Sequence, residues 1–448
     1  MGLAREGLAL IRFLVGVGAE VAANDRAEGA ALREAVDVLS ALPVRLVLGG
    51  HPTELFLESD TVFISPGVPQ QLPSLVEARA RDVPVSSETQ LFFELCPGRI
   101  VGITGSAGKT TTTALVGDML REAGMPLFVG GNIGVPLLDR LEEIGPDAWV
   151  VLEMSSFQLE ALPCSPPVAA VLNVTPNHLD RHGDMESYAA AKANIVRHQR
   201  PGDLAVLNAD DPVSAGMPAP GRQVWFSLER PVEGAHLEGE EIVLRHGGDS
   251  ETVCAASEVH LRGRHNLANV VAASAIASAV GAPVGAMRVA IANFRGVPHR
   301  LEMVGEVGRV IFCNDSIATA PERSMASLRS FDRPVVLIAG GRNKRLPLED
   351  WARLIRQRVR ALVLMGEAAQ EIAQAVEATD GGAEPAVLRA RSMDDAVRLA
   401  YGAAEPGDVV LLAPGCTSFD MFKDFEARGE RFRECVAALA ERKSGEEG

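Results

Sequence analysis

Between Ile100 and Leu120 the chain reads IVGITGSAGKTTTTALVGDML: an apolar run, a loop with Gly102, Gly105 and Gly108, then Lys109, Thr110, Thr111 and a helical pattern. Strand, loop and helix in that order can hold a polyphosphate. Glycines let successive N–H groups converge on it, and the helix start adds partial positive charge. Gly105, Ser106, Ala107 and Gly108 would form the cradle, Lys109 would supply a mobile cation, and Thr110, with Thr111 beside it, a hydroxyl for Mg²⁺. The spacing is a variant of the usual phosphate loop, since five residues separate Gly102 from Gly108 and two separate Gly105 from Gly108. A glycine-rich turn ahead of a helix is the plain alternative. Lys109 and Thr110 directly after the last glycine favour nucleotide binding.

Other residues could share this chemistry. In WVVLEMSSFQLE an apolar strand over 148–153 delivers Glu153, followed by Ser155, Ser156 and Gln158. An acidic residue ending a strand beside a phosphate-loop strand reaches Mg²⁺ or its water shell. A strand over 169–174 runs into NVTPNHLDRH, which places His178 on the same edge. Alone, His178 reads more readily as a hydrogen-bonded loop residue than as a ligand. Zinc held by His178 and His182 is disfavoured, because Pro176 and Gly183 leave no long helix to keep both on one face. Lys192, on a helical pattern over 185–197, reads by itself as a solvated cation. Asn266 and Asn269 could face one ligand together or simply begin a helix.

The elements that must position these residues are strands ending on one edge of an α/β sheet. A length of 448 residues suggests about three domains, and 47% apolar content gives ample core. The net charge of −16 argues against a nucleic-acid or membrane-surface partner. No apolar run approaches the roughly twenty residues of a bilayer span. Cys96, Cys164, Cys254, Cys313, Cys416 and Cys435 are scattered, with no CxxC spacing and no recognisable signal sequence, which predicts reduced thiols and a cytoplasmic chain.

The first thirty residues have a glycine loop from Gly2 to Gly7, an amphipathic helix, and a strand over 20–23 ending at Asn24, Asp25 and Arg26. This is a Rossmann-like βαβ unit, in which an acidic residue at the second strand's end reaches a ribose or similar group, here Asp25. Nothing precedes the loop, so the N-terminal sheet is expected to lack a strand near its centre, through a misassigned start or a trimmed chain. A strand over 61–64 then runs into Ser65, Pro66 and Gly67, a ligand-facing turn or merely a tight one, and a short strand follows over 83–86.

GITGSAGKTT, GGNIG, LEMSSFQLE, NVTPNHLDRH, YAAAKANI and GRHNLAN stand in the order and spacing of the Mur ligases, and the chain resembles that family over nearly its whole length. The resemblance is strongest to its glutamate-adding members. It implies an α/β fold of three domains: a Rossmann-like UDP-substrate domain over 1–94, a central P-loop ATPase domain over 95–293 and a Rossmann-like glutamate-binding domain over 294–448.

The implied chemistry is ATP-driven amide synthesis in peptidoglycan precursor formation. The carboxylate of UDP-N-acetylmuramoyl-L-alanine takes the γ-phosphoryl group, and the amine of glutamate, by resemblance the D isomer, attacks the acyl phosphate. Two Mg²⁺ ions are implied, one near Thr110 and Glu153, the other near His178 and a carbamylated Lys192. An ammonium would be repelled there, whereas N-carboxylation makes it an oxygen ligand of opposite charge. By the same resemblance Lys109, Asn266, Asn269, Arg300 and Asp315 meet the nucleotide. Asp25, Arg26, Ser65, Gly67, Asn132, Ser155 and Gln158 meet the sugar-peptide, and Thr319, Lys344, Ser418 and the backbone near Phe425 meet glutamate.

Ile317 stands where the family usually has lysine, the clearest departure, and it leaves the choice between D- and L-glutamate open. The DNPR signature of diamino-acid-adding relatives is missing, which favours glutamate. The implied partners are these small molecules, with no nucleic acid and no membrane, bound by a monomer. The competing class is a P-loop NTPase switch; no Asn-Lys-x-Asp motif marks a GTPase. A folate ligase would lack the Rossmann-like first third.

Overall fold

Short apolar runs alternating with helical stretches fold here into parallel strands joined by helices, as this pattern requires. The computed structural model describes residues 1–28, 32–66, 68–132, 136–261, 263–344, 346–382 and 385–446. They belong to two compact units, Met1–Phe294 and Arg295–Gly448.

In the first unit, among the described residues, β1 (Val21–Asp25) pairs in parallel with β2 (Val44–Leu48), and β3 (Val62–Phe63) with β4 (Val85–Ser86), as two two-stranded sheets. Each has a small core of its own, one around Leu3, Ile11, Val21 and Leu39, the other around Phe56, Val62, Ile64 and Leu75. No strand forms within residues 1–10, because the helix Arg5–Gly16 begins almost at once. Gly7, expected in the loop, lies in that helix, where a Cβ would stand 2.0 Å from the Gly2 carbonyl oxygen.

The larger sheet of this unit contains β5 (Arg99–Thr104), β6 (Leu127–Gly131), β7 (Trp149–Glu153), β8 (Val168–Val171), β9 (Leu204–Asn208), β10 (Arg222–Ser227), β11 (Gly234–Glu238), β12 (Glu241–His246) and β13 (Asp249–Ala255). Its nine strands run in the order β13-β12-β11-β10-β9-β8-β5-β7-β6. The β-rich stretch expected over 221–260 is its β10–β13 end, where β11, β12 and β13 pair antiparallel. β5 is central and parallel to both neighbours, and Ile103, Val151 and Ala170 are wholly buried, as in a sheet covered on both faces. Parallel pairing sets the C-terminal ends of β5, β6, β7 and β8 along one edge.

The second unit holds β14 (Glu302–Val307), β15 (Val310–Asn314), β16 (Val335–Gly340), β17 (Val359–Met365), β18 (Ala386–Arg389) and β19 (Val409–Gly415), in the order β14-β15-β19-β16-β17-β18. Two cores pack on this sheet, one around Leu337, Trp351 and Leu411, the other around Phe312, Val336 and Phe432. All six cysteines are unpaired, and burial raises every thiol, Cys164, Cys254 and Cys435 to about 11 and Cys416 to about 12. No helix among the described residues is long and apolar enough to cross a membrane.

Candidate functional site

The phosphate loop connects β5 to the helix Lys109–Glu122. Gly108 caps that helix with φ +83, a conformation that costs glycine little, and a Cβ there would lie 2.2 Å from Asn269 Oδ1. Asn269 Nδ2 in turn donates to Asn266 Oδ1 at 3.2 Å, so both asparagines of the helix Arg264–Ala279 stand at the loop. Asn173 clamps the other flank: its carbonyl accepts from Ser106 N–H at 2.9 Å, its Oδ1 accepts from Ala107 N–H at 2.9 Å, and its Nδ2 donates to the Ala107 carbonyl at 3.1 Å. β8 therefore stops at Val171, short of the expected 174, so that Asn173 can turn onto the loop.

Glu153, at the tip of β7, is 3% exposed. Its Oε2 accepts from Thr110 Oγ1 at 2.7 Å and its Oε1 from Asn132 Nδ2 at 3.0 Å. Lys109 Nζ donates to the Gly105 carbonyl at 2.8 Å.

Lys192, which alone reads as a solvated cation, is instead 1% exposed. The reason is that its helix, Met185–Arg197, turns Tyr188 and Lys192 inward together, four residues apart. Tyr188 hydroxyl meets Ser106 Oγ at 3.0 Å, and Lys192 Nζ lies 4.7 Å from the centre of the Tyr188 ring. Lys192 Nζ also donates to the Gly105 carbonyl at 3.0 Å and Thr104 Oγ1 at 3.4 Å. Burial, then the charge of Lys109, push its ammonium down to about 7, with Glu153 opposing.

His178 is the N-cap of the short helix Leu179–His182 and adopts φ +54, a rare conformation for a side-chain-bearing residue. Its ring stands edge-on to Phe157 at 5.2 Å, while His182 stacks on Phe157 at 5.0 Å and meets Ser156 Oγ at 3.0 Å. Ser155 and Gln158 form a capping box, and Gln158 Nε2 donates to Glu6 Oε1 at 2.8 Å, which links the β7 tip to the first helix.

Among the described residues no group of three or more His, Cys, Asp or Glu side chains could hold a metal. One carboxylate and one hydroxyl beside an amide-lined loop nevertheless fit Mg²⁺, which takes one or two carboxylates and completes its shell from phosphate and water. The cradle itself, closed to any side chain at Gly108, fits a polyphosphate.

At the N-terminal sheets, Asp25 Oδ2 accepts from Leu3 N–H at 2.9 Å and Oδ1 from Ala27 N–H at 2.8 Å, so this carboxylate ties down the loop it ends against. Arg26 is exposed, and Ser65 Oγ donates to the Gly2 carbonyl at 3.4 Å. Gly67 lies outside the described residues.

In the second unit, Asp315 is buried and its carboxyl is raised by burial, even though it accepts from Leu301 N–H and Ser327 Oγ and faces Arg300 and Arg323. Thr319 N–H donates to the Ile317 carbonyl at 2.8 Å. The Lys344 ammonium is lowered by partial burial of its head and by Arg323. Ser418 is buried, and the Phe425 carbonyl accepts from Ser316 Oγ at 2.8 Å.

Sequence reasoning assigned no role to Asn173, Tyr188, Glu6 or Arg428. The first two stood in quoted motifs, and the spacing of Tyr188 to Lys192 was the available signal. Arg428, 2% exposed, ties Ser316 to the Cys416 carbonyl through all three guanidinium nitrogens, and no local pattern marks it.

Residues 1–87 match the Mur ligase MurD-like N-terminal domain, 103–277 the Mur ligase middle domain, and 299–416 the Mur ligase glutamate ligase domain. The chain is 43% identical to a UDP-N-acetylmuramoylalanine–D-glutamate ligase of Symbiobacterium thermophilum, over 98% of this chain and 97% of that one. It is 44% identical, over the same shares, to the protein so named in Pelotomaculum thermopropionicum. Among solved structures, UDP-N-acetylmuramate-alanine ligase of Thermotoga maritima has a TM-score of 0.53 at 20% identity, over 98% of both chains. A pseudomurein peptide ligase type C from Methanothermus fervidus has 0.52 at 17%, also over 98% of both. At these identities the two structures speak for the three-domain α/β fold alone.

Proposed function

Since the chain belongs to the Mur ligase family, we propose that it joins D-glutamate to UDP-N-acetylmuramoyl-L-alanine at the expense of ATP, releasing ADP and phosphate. The observation that carries this reading is the buried Thr110–Glu153 pair, with Asn132 bonded to the same carboxylate, beside Lys109 and the loop amides. Two anions, carboxylate and triphosphate, must meet, and Lys109, the oriented loop N–H groups and a metal held by Thr110 and Glu153 would offset their repulsion.

In the first step a carboxylate oxygen of the sugar-peptide bonds to the γ-phosphorus as the bond to the ADP oxygen breaks. In the second the glutamate nitrogen bonds to the acyl carbon, phosphate leaves, and the nitrogen gives up its extra proton to solvent or a base. Loop amides and Lys109 would hold the phosphates, with Asn266 and Asn269 behind the loop and Arg300 and Asp315 on the nucleoside side. Mg²⁺, when bound, screens charge on the phosphoryl oxygens and polarises the acyl oxygen. Thr110 and Glu153 would hold one ion, His178 and a carbamylated Lys192 a second.

Carbamylation needs a neutral amine: the Lys192 nitrogen bonds to the carbon of CO₂ and releases one proton. The lowered ammonium favours this at neutral pH. A ¹³C carbamate resonance after exposure to labelled CO₂, absent in Lys192→Arg, is the expected signature.

Asp25, Arg26, Ser65 and Gly67 are assigned to the UDP end, and Ser155 and Gln158 to the peptide. Thr319, Lys344, Ser418 and the backbone near Phe425 are assigned to the glutamate carboxylates. The domain roles are those of 1–94, 95–293 and 294–448, in a cytoplasmic monomer. Phosphate release tests the reading. Turnover is expected only with ATP, the sugar-peptide and D-glutamate together. Turnover with ATP alone would indicate an NTPase switch, and preference for the L isomer would reassign the amino acid.

A further inference from the structure

In the second unit two residues that carry side chains hold a positive φ on either side of Arg300, His299 at +61 and Leu301 at +43. Outside glycine such conformations persist only where the surroundings fix them. Here the start of β14 and the end of β15 do so. Leu301 N–H donates to Asp315 Oδ1 at 3.0 Å, His299 N–H donates to Glu302 Oε2 at 2.8 Å, and the His299 carbonyl accepts from Ile317 N–H at 3.2 Å. Arg300 N–H closes the turn on the Val297 carbonyl at 3.2 Å.

The His299 side chain holds the same turn from inside. It is 8% exposed, and its Nδ1 lies 3.1 Å from Asn314 Nδ2. The Asn314 amide has one orientation that suits its neighbours: Oδ1 accepts from Ser316 N–H at 3.1 Å, and Nδ2 donates to Glu302 Oε2 at 3.1 Å and to the Gly429 carbonyl at 3.2 Å. Nδ2 is therefore the donor to His299 as well, and Nδ1 is the bare, accepting nitrogen of a neutral ring. The Phe425 ring stands edge-on to the imidazole at 6.3 Å. Gly429, in the helix Phe425–Glu446, lies against Nδ1, and a Cβ there would overlap it. Glycine weakens a helix interior; at 429 it leaves room for the imidazole.

We propose that His299 is a positioning residue: as a neutral acceptor for Asn314, wedged between that amide, Phe425 and Gly429, it holds the 299–301 turn and thereby aims the Arg300 guanidinium at the nucleotide. The inference rests on the reading of Arg300 as a nucleotide contact and adds the residue through which that arginine is held. Arg300 is exposed, and its charge opposes the upward push that burial gives the Asp315 carboxyl. Because Asp315 also accepts from Leu301 N–H, the turn and both residues assigned to the nucleotide form one connected unit.

The test reads binding of the non-hydrolysable analogue AMP-PNP with Mg²⁺ by calorimetry in the full chain. His299→Leu, which removes the acceptor, is expected to raise the Kd about tenfold, as is Arg300→Ala, and the double variant is expected to bind no more weakly than Arg300→Ala alone. His299→Asn keeps an acceptor in the place of Nδ1 on a side chain that tolerates positive φ, and is expected to bind within about threefold of the parent chain. If His299→Leu cannot be purified folded, Gly429→Ala, which displaces the ring while favouring the helix, takes its place in the same cycle. Unchanged binding in either single variant, losses that multiply in the double variant, or His299→Asn as weak as His299→Leu would each overturn the proposal. Turnover does not enter this readout, so a chain that binds AMP-PNP and ligates nothing would overturn the reaction proposed above and not this assignment.

Discussion

The central and N-terminal sheets of the first unit begin from the same device, a glycine turn feeding a helix, and differ in what stands behind the turn. In the central sheet β5 runs between β7 and β8 and delivers Gly105–Gly108 from a strand buried from Ile100 to Thr104, and Asn173 then fixes the loop from the side. In the N-terminal sheets Gly2 and the helix Arg5–Gly16 are present, but the position corresponding to β5 is a cavity, and the turn is held by Asp25, Asn24 and Ser65 instead. A central strand therefore supplies two things at once: it joins the hydrophobic layers on its flanks, and it fixes where the loop at its tip points.

This contrast can be broken most sharply at the complete tip. Glu153→Ala, which removes the partner of both Thr110 and Asn132, is expected to lower kcat by about a thousandfold or more, measured as phosphate release, with circular dichroism unchanged. Asp25→Ala, at the other tip, is expected to raise the KM for the UDP substrate about tenfold and leave kcat nearly intact, since that carboxylate ties down a loop away from the reacting atoms.

Core truncation sharpens the contrast in stability. Ile103→Ala in β5 is expected to cost about 3–4 kcal/mol in urea unfolding, within the usual range for buried Ile and Leu, and Leu75→Ala nearer 2, because its layer already borders a void into which neighbours can relax. Gly108→Ala adds a Cβ against Asn269 Oδ1 at a positive φ and should raise the KM for ATP more than tenfold. Asn269→Ala in the same chain should relieve the clash but not the strain, so the double variant recovers part of the loss.

The smallest effect concerns Glu88, beside the cavity, whose carboxyl is pushed up to about 8, first by burial and then by Glu6. The folded chain keeps that proton between pH 4.5 and about 8 while the unfolded chain releases it, so stability falls as pH rises through this window. Glu88→Gln should flatten the slope of Tm against pH there and leave the profile above about 8 unchanged.

The phosphate loop, Glu153 at its strand tip and the helix Met185–Arg197 were legible because glycine spacing, apolar runs and helical period are local signals. The inward side of that helix was not. Alanines surround Lys192 on the sequence, so period alone did not choose a face, which is fixed by the contacts of Tyr188 with Ser106 and of Lys192 with Thr104 and Gly105. β3 and β4, at two residues each, are too short to carry alternation, and their division from β1 and β2 is a tertiary fact. Arg428 escaped because its partners, Ser316 and Cys416, come from distant segments that only the folded second sheet brings to it.

Cys254, Cys313, Cys416 and Cys435 are buried, and burial raises their thiols, which disfavours attack on maleimides at neutral pH; Cys96 and Cys164 are half-buried with thiols also raised by burial. A single cysteine engineered onto an exposed site, such as Val17 at 65% exposure, would then label ahead of the four buried thiols, with Cys96 and Cys164 replaced by serine. Dye placed there, just past the first helix Arg5–Gly16, would report on the surroundings of that helix end.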